Sequence, residues 1–220
     1  MIKKTSYFGN PHIGIFCFCN DKVAILPYNN KFSAIIKEAL DVEIIETTIS
    51  QSPFIGIYTA GNNDILIMPD IISSSELTKI KNGLDGIADI YLIKTNMNAL
   101  GNNIVVGKKA ILINPNLMPY KDSIEDIFGI ETIAIDIAGY KTIGSLLVTN
   151  DKGFVVSYKA GLEDLARLEK ILGIRGKRTS INLGLAFPKL GIIANKKGIV
   201  FGELTTGIEI ANVIEGLDVQ

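Results

Sequence analysis

The chain has 220 residues, of which 47% are hydrophobic and 20% are charged, and its formal net charge is −1. This composition is typical of a globular protein and excludes a disordered one. Proteins that wrap nucleic acid carry a basic excess, so no DNA partner is expected, and no apolar run is long enough for a transmembrane helix.

Five apolar hairpins recur along the chain, and each has a turn rich in Asn, Asp, Gly or Lys. The strands entering these turns are expected to begin at Gly14, Gly56, Ile104, Gly144 and Gly191. The strands leaving them close at positions 27, 69, 115, 158 and 203, which are 42, 46, 43 and 45 residues apart. Periods this regular predict a ring or array of supersecondary units.

Each hairpin is followed by a helix with apolar residues at a spacing of 3.6, and in four units by another strand. The predicted helices cover 32–40, 73–84, 122–129, 162–173 and 206–217. The predicted strands cover 42–49, 87–93, 130–137 and about 179–182. Ser73 with Glu76 and Thr206 with Glu209 have the spacing of capping boxes, and Gly129 and Gly173 mark helix ends.

The fifth unit has no strand after its helix, whereas residues 2–8 precede the first hairpin and belong to no unit. Pairing this N-terminal strand into the fifth unit would close a ring and remove an exposed sheet edge. The predicted fold class is therefore α+β, a five-unit β/α-propeller closed by its N-terminal strand. Residues 1–220 are expected to form a single domain of five repeats of 42–46 residues, and to be a monomer.

Residues suited to catalysis or metal binding are few. Cys17 and Cys19 lie on one face of a predicted strand, and His12 is the single histidine, so a metal site lacks ligands. We expect no cofactor, no metal and no catalytic residue. The N-terminal segment has no apolar signal-peptide core, so a cytoplasmic protein is expected. Asn residues near the strand ends fit turn chemistry, although equivalent turns of a ring would also gather on one face.

Several segments resemble the translation initiation factor 6 family, the ribosome anti-association factors of archaea and eukaryotes. The resemblance is carried mainly by Asn98-Ala-Leu-Gly-Asn102, followed by a hairpin and Ala110-Ile-Leu-Ile-Asn-Pro-Asn-Leu117. Ile13-Gly-Ile-Phe16, Ile65-Leu-Ile-Met-Pro69 and Ser75-Glu-Leu77 extend it to other units. It implies the pentein fold. The chain ends after its fifth helix without the tail of eukaryotic members, so an archaeal form is expected.

The resemblance also implies a function. The family binds the large ribosomal subunit on its subunit-joining face, mainly through ribosomal proteins, blocks joining of the small subunit and takes part in large-subunit biogenesis. Equivalent positions of the first three units, with Asn102 at the centre, are the predicted binding site. Its residues are Asn10, Gly14, Gly56, Ile57, Gly101, Asn102 and Asn103.

Two alternative functions remain open. Deiminases and amidinotransferases share the fold and use a nucleophilic Cys with His and acidic partners, but this chain has no Cys near its C-terminus. A protein-interaction ring without a ribosomal role is the other alternative. Co-sedimentation with large subunits would separate it from the first function.

Overall fold

The computed structural model describes residues 1–219, which form five three-stranded sheets. In each sheet the inner strand is antiparallel to the middle one, and the outer strand is parallel to it. The inner strands are β2 (Phe18–Cys19), β5 (Ala60–Gly61), β8 (Ile104–Val106), β11 (Leu147–Thr149) and β14 (Ile192–Ala194). The middle strands are β3 (Val23–Leu26), β6 (Ile65–Pro69), β9 (Ile111–Ile113), β12 (Phe154–Ser157) and β15 (Ile199–Gly202). The outer strands are β1 (Ile2–Thr5), β4 (Glu43–Glu46), β7 (Asp89–Ile93), β10 (Thr132–Ala134) and β13 (Gly176–Thr179).

One long helix connects each middle strand to the following outer strand or ends the unit. These helices are α1 (Asn30–Leu40), α2 (Ser74–Leu84), α3 (Lys121–Phe128), α4 (Leu162–Leu172) and α5 (Gly207–Leu217). A short 3-10 segment, Pro115–Tyr120, precedes α3. Both predicted capping boxes are formed, and Gly129 and Gly173 follow their helices with positive φ angles. All five predicted helices are therefore confirmed within a few residues.

The N-terminal strand closes the ring. β1 pairs in parallel with β15, so that Ile2 lies opposite Ile199 and Thr5 opposite Gly202. The N-terminal ammonium also donates to the carbonyl of Lys197 at 2.8 Å. The fifth sheet thus takes its outer strand from the start of the chain, as the missing strand after α5 predicts, and each of the five middle strands is paired on both sides.

One strand lies three residues earlier than its prediction. The fourth outer strand is β13, Gly176–Thr179, not 179–182. Gly176 lies opposite Phe154, and a Cβ at this position would collide with the Phe154 ring, so a glycine in this register lets the aromatic side chain pack. The next residues enter a turn in which Ile181 bridges to Leu185.

The apolar core is divided into five clusters, one between each pair of neighbouring units. The cluster between the fifth and first units joins Ile193 and Val200 to Leu26 and Phe32. The other clusters repeat this arrangement around the ring. Middle strands are consequently covered on both faces, which explains why they are continuous apolar runs without polar alternation. In residues 1–219, no helix has the length and apolar character required to cross a membrane.

The chain direction defines two opposite faces of the ring. Each inner strand ends at a hairpin turn, and the five turns form the hairpin face, residues 20–22, 62–64, 107–110, 150–153 and 195–198. Each inner strand is preceded by a short helical turn at the other end. These turns, the loops before them and the starts of the long helices form the helical-turn face.

Candidate partner-binding face

Five short helical turns surround the axis of the ring on the helical-turn face. They are Ile13–Ile15, Ile55–Tyr58, Leu100–Asn103, Ile143–Leu146 and Pro188–Gly191. The sequence pattern predicts that strands begin within four of these segments, and that prediction is wrong. The third entering strand begins at Ile104, as predicted. The turns are too short for their apolar residues to show a helical period, so their sequence cannot be distinguished from that of a buried strand.

The second position of four of these turns is glycine, and tight packing of the units requires it. At Gly56, a Cβ would collide with the carbonyl oxygen of Gly14, and at Gly101 with that of Gly56. Gly144 meets Gly101 in the same way. Gly14, Gly56 and Gly101 belong to the predicted binding site, where a glycine would let the backbone of a partner approach closely. The backbone that approaches them in the structure is that of the preceding unit.

The fifth turn departs from this pattern. The hairpin-turn residue Asn195 follows Lys189 by six positions, as Asn62 follows Gly56. Lys189 therefore occupies the place of the four glycines, and the choice of Gly191 as the fifth equivalent is wrong. A Cβ on Gly191 would contact Ile181 and Asn182, outside the ring of turns. Aligning the repeats on their turn asparagines would have found this difference.

The structure brings the predicted site residues to one face but buries several of them. Gly14, Gly56, Gly101 and Asn103 are buried, and Asn10, Ile57 and Asn102 are partly exposed. Asn103 has a structural role, because its side chain donates to the carbonyl of Ala99 and accepts a 2.7 Å bond from Asn114. Asn10 accepts from the backbone of His12 within its own turn.

Asn102 differs from its neighbour. It is the third residue of its helical turn, and its backbone nitrogen donates to Ala99. Its side-chain amide has no hydrogen bond to any other described residue. The equivalent residue of the fourth unit, Ser145, is buried and donates to the carbonyl of Thr142 at 2.7 Å. Asn102 therefore presents a polar group that the fold does not use.

Loops before the helical turns expose apolar side chains that no sequence pattern predicts. Phe8 is 79% exposed with φ +49°, and Leu183 is 67% exposed with φ +66°. Left-handed backbone is costly for residues other than glycine, and such strain concentrates at functional sites. Phe8 is also the outermost ring of an aromatic group, since it contacts Tyr7, which packs on Phe16.

Exposed apolar residues are concentrated at this end of the ring. Of the fifteen large apolar side chains that are exposed in residues 1–219, Met1, Ile2, Tyr91 and Leu92 lie elsewhere. The remaining eleven follow middle strands, begin long helices or lie in the loops before the helical turns: Phe8, Tyr28, Phe54, Ile71, Met118, Tyr140, Tyr158, Leu162, Leu183, Leu204 and Ile208. A surface rich in exposed apolar side chains is typical of an interaction site.

Two buried glutamates hold loops of this face in place. Glu76, in the capping box of α2, accepts from the backbone nitrogens of Ser50 and Gln51, both at 2.9 Å, and from the hydroxyl of Thr48. Burial opposes its ionisation, but these bonds and those from Ser73 lower the pKa of Glu76 to about 2.

Glu209, in the capping box of α5, plays the same part for the loop that contains Leu183. It accepts from the backbone of Leu183 and Gly184 and from the hydroxyl of Ser180. Burial opposes ionisation here too, and the hydrogen bonds lower the pKa of Glu209 below its ordinary value. The sequence identifies both glutamates as caps, but it does not reveal their contacts with a neighbouring unit.

On the hairpin face, asparagines connect neighbouring units. Asn150 donates to the carbonyls of Asn195 and Leu217, and Asn195 donates to those of Asn20 and Leu40. Asn20 continues the series by donating to Asn62. Their side-chain oxygens accept from backbone nitrogens of their own turns, which confirms the turn-chemistry interpretation of these residues.

Charged side chains complete the hairpin face. Lys196 lies 3.1 Å from a carboxylate oxygen of Asp21 and 3.3 Å from one of Asp151, so it joins the fifth unit to the first and fourth. Burial opposes its charge, but both carboxylates raise the pKa of Lys196 above its ordinary value. Most polar groups of the hairpin face thus have partners within the protein.

The channel along the axis contains both cysteines. Burial raises the pKa of Cys17 to about 12 and that of Cys19 well above its ordinary value. Both thiols donate to adjacent carbonyls, those of Phe18 and Asn20. Protonated thiols are poor nucleophiles. Within residues 1–219, no group of three His, Cys, Asp or Glu side chains is arranged to hold a metal ion.

The closed ring of five three-stranded units defines the class of pentein propellers. A solved structure of a mutant DDAH from Pseudomonas aeruginosa, complexed with citrulline, superposes with a TM-score of 0.50 at 13% identity. The match covers 74% of this chain and 66% of that chain, which is just under two thirds. At this identity the similarity concerns the fold alone.

Sequence comparison identifies the particular family. The model of the eIF-6 family matches residues 2–216, and the chain belongs to that family, which links it to translation initiation. Translation initiation factor 6 of Staphylothermus marinus is 35% identical over 98% of this chain and 97% of its own length. That of Sulfolobus acidocaldarius is 33% identical, with 97% of both chains covered. The resemblance seen in the sequence is therefore confirmed.

Proposed function

We propose that this protein binds the large ribosomal subunit with its helical-turn face and thereby prevents association with the small subunit. The observation that supports the proposal is the concentration of exposed apolar side chains, together with the unused amide of Asn102, on one face of a ring in this family. A role in biogenesis of the large subunit belongs to the same proposal. The protein acts in the cytoplasm as a monomer.

The mechanism is steric exclusion, and it requires no chemical reaction. A ligand that binds only the free large subunit shifts the joining equilibrium by mass action. The near-neutral net charge suits contacts with ribosomal proteins better than contacts with bare RNA, which would favour a basic surface. A guanidine-modifying activity would require an ionised cysteine, whereas burial keeps both thiols protonated.

Within the proposed site, the residues differ in what they can contribute. Asn102, Ile57 and Asn10 are partly exposed and are expected to touch the partner, with Phe8 and Leu183 further from the axis. Gly14, Gly56, Gly101 and Asn103 remain part of the proposed site. Their buried positions support it by setting the path of the backbone at the surface.

Asn102→Arg tests the function and its location together. Interfaces depend on a few central residues, each worth about 2 kcal/mol or more on truncation. A tenfold loss of affinity corresponds to about 1.4 kcal/mol. We expect Asn102→Arg to bind purified large subunits at least about tenfold more weakly in a co-sedimentation titration. It should also restore joining of the two subunits on a sucrose gradient.

The matched control is Asn82→Arg, because Asn82 is an exposed asparagine near the C-terminal end of α2, away from the helical-turn face. It should bind like the wild type. Binding by the wild type with no difference between the two variants would refute the location but not the function. A wild-type protein that neither co-sediments with large subunits nor hinders joining would refute the function itself.

A further inference from the structure

Four exposed apolar side chains of the helical-turn face lie where the fifth unit meets the first. Phe8 and Ile208 are 79% and 78% exposed, and Leu183 and Leu204 are 67% and 48% exposed. They belong to three separate segments, which are the turn before the first helical turn, the loop before the fifth, and the chain leading into α5. These side chains can act as one surface only if the three segments are held in a fixed relation.

A single side chain, that of Asn182, connects the three segments. Its amide nitrogen donates to the carbonyl of Pro11 at 2.8 Å, and its amide oxygen accepts from the hydroxyl of Thr205 at 2.9 Å. Pro11 directly follows the turn that carries Phe8, and Thr205 lies in the segment that leads into α5. Asn182 itself directly precedes Leu183 in the third segment. One amide group therefore joins each segment to the other two.

The packing around Asn182 fixes this amide in place. Asn182 is buried, and a Cβ on Gly191 would collide with its amide nitrogen, as one on Gly202 would with its amide oxygen. Its backbone has a left-handed φ of +47°, which asparagine tolerates better than most other residues. Because both polar atoms of the amide are engaged inside the fold, Asn182 has no group left to offer a partner directly.

The equivalent turns of other units lack such a link. Residues 8–9, 50–51 and 138–139 form two-residue turns, whereas three residues, 182–184, separate Ile181 from Leu185 in the fifth unit. The side chains of these two-residue turns make no hydrogen bond to a neighbouring unit within residues 1–219. The connection through Asn182 is therefore particular to the junction of the fifth and first units.

We propose that Asn182 is a positioning residue of the partner-binding face, whose amide makes the segments of Phe8, Leu183 and α5 engage the partner as one surface. The inference rests on the proposed function, since the partner is the large ribosomal subunit. Segments that are held in place before binding lose less conformational freedom when they are ordered at an interface. The contribution of Phe8 to affinity should therefore depend on Asn182.

Asn182→Gly tests this dependence, because it removes the amide and keeps a residue suited to left-handed backbone. In co-sedimentation titrations of folded protein with large subunits, we expect it to bind about tenfold more weakly than the wild type. The decisive measurement adds Phe8→Ser. This change should weaken binding about fivefold in the wild type and less than about twofold in Asn182→Gly, because the two residues act together. A purely structural role of Asn182 would leave the effect of Phe8→Ser on folded protein unchanged.

The matched control is Gln51→Gly. Gln51 is an exposed residue of the same face with a left-handed φ of +61°, and its side chain makes no hydrogen bond within the described residues. Phe8→Ser should still weaken binding about fivefold in this background. An equal effect of Phe8→Ser in the wild type and in Asn182→Gly would overturn the proposal.

A second measurement applies if Asn182→Gly does not fold. Phe8→Ser and Leu183→Ser change exposed side chains, so both variants and their combination should fold. A combined loss of affinity smaller than the product of the single losses would support joint action of the two segments, and a loss equal to the product would refute it. A wild type that does not bind large subunits would instead refute the proposed function itself.

Discussion

The two faces of the ring use their polar and apolar groups differently. On the hairpin face, Asn150, Asn195 and Asn20 each donate to the neighbouring unit, and Lys196 joins three units through two carboxylates. On the helical-turn face, Asn102 has an unused amide, and Phe8 and Leu183 point apolar side chains outward. The bridging asparagines of the hairpin face are engaged within the fold, whereas Asn102 and the exposed apolar side chains of the helical-turn face are available to a partner.

This difference separates residues that stabilise the ring from residues that bind a partner. Asparagines occur on both faces and look alike in the sequence, but Asn20, Asn150 and Asn195 of the hairpin face are buried and bridge to a neighbouring unit. Asn150 shows the consequence. Its place in a hairpin turn predicts an exposed residue, whereas Asn150 is buried and its amide donates to the carbonyls of both Asn195 and Leu217. A substitution there would disturb the fold.

The largest effect is expected when the ring is opened. Deleting residues 1–7 removes β1 from its four paired positions on β15 and exposes an edge of the fifth sheet. At about 1 kcal/mol for each net hydrogen bond, with packing in addition, we expect a loss of about 5 kcal/mol in the free energy of unfolding. Denaturant titration measures it.

Lys3→Ala is the matched control for the deletion, because it removes only the exposed ion pair with Glu38 and leaves the strand in place. Its stability should match the wild type. We propose that residues 1–220 form one cooperative domain, so the deletion should lower the whole transition. If the deletion variant were as stable as the wild type, closure of the ring would not be a source of stability.

The hairpin face provides the second prediction. Asn195→Ala leaves two carbonyls of the first unit and two backbone nitrogens of its own turn without the hydrogen bonds that the Asn195 side chain makes. We expect a loss of about 3 kcal/mol, because buried polar groups without partners cost about 1–3 kcal/mol each and the site can partly relax. Binding of large subunits by the folded fraction should not change.

Asn62→Ala distinguishes the stability contributed by the turn from that contributed by the bridge between units. Asn62 accepts from Asp64 and Ile65 in its own turn, but its side chain donates to no neighbouring unit within residues 1–219. We expect it to cost about 1 kcal/mol. Equal losses for Asn62→Ala and Asn195→Ala in denaturant titrations would show that the bridges between units contribute nothing beyond the turns.

Most of the fold could be predicted from the sequence because local signals agree with the final structure. The repeated turns predict the number of units, and the capping boxes at Ser73 and Thr206 predict where two helices begin. The N-terminal strand, which belongs to no unit, predicts that the ring is closed. The fourth outer strand was misplaced because Gly-Lys-Arg-Thr has no apolar alternation. Its position is set by the packing of Phe154 over Gly176, a contact distant in sequence.

The site was less predictable, for physical reasons. Glycines packed against a neighbouring backbone and glycines that admit a partner look the same in a sequence, so the packing of Gly14, Gly56 and Gly101 against the preceding unit could not be predicted. Phe8 was missed because exposure of an aromatic residue depends on its left-handed backbone, which no local pattern announces. Lys189 could have been found, since alignment of the repeats isolates it.

The third prediction concerns the loops that shape the helical-turn face. The pKa of Glu76 is lowered to about 2, compared with an ordinary 4.5 in the unfolded chain. The stability that its ionised form contributes is therefore present above pH 4.5 and is lost as pH falls from 4.5 towards 2. Glu76→Gln should cost about 2 kcal/mol at neutral pH, as expected for hydrogen bonds to a charged group.

Glu163→Gln is the matched control, because Glu163 is an exposed residue of the first turn of α4. Unfolding titrations at neutral pH and between pH 4.5 and 2 should show a smaller pH dependence for Glu76→Gln than for the wild type or the control. An unchanged dependence in Glu76→Gln would mean that other carboxylates account for acid sensitivity, and that this loop is held by its backbone alone.

The smallest expected effect tests the apolar rim of the proposed binding face. Phe8 is 79% exposed, so Phe8→Ser should leave the melting temperature almost unchanged, whereas burial of its ring in a complex should contribute to affinity. An anchor at the periphery contributes less than one at the centre, and we expect about fivefold weaker binding of large subunits, roughly 1 kcal/mol.

The control is Tyr91→Ser, since Tyr91 is an exposed aromatic residue on the outer strand β7, away from the face. Equal affinity of both variants in a co-sedimentation titration would restrict the binding surface to the residues around Asn102. Weaker binding by Tyr91→Ser alone would move the interface to the rim of the ring and remove the functional contrast between its two faces.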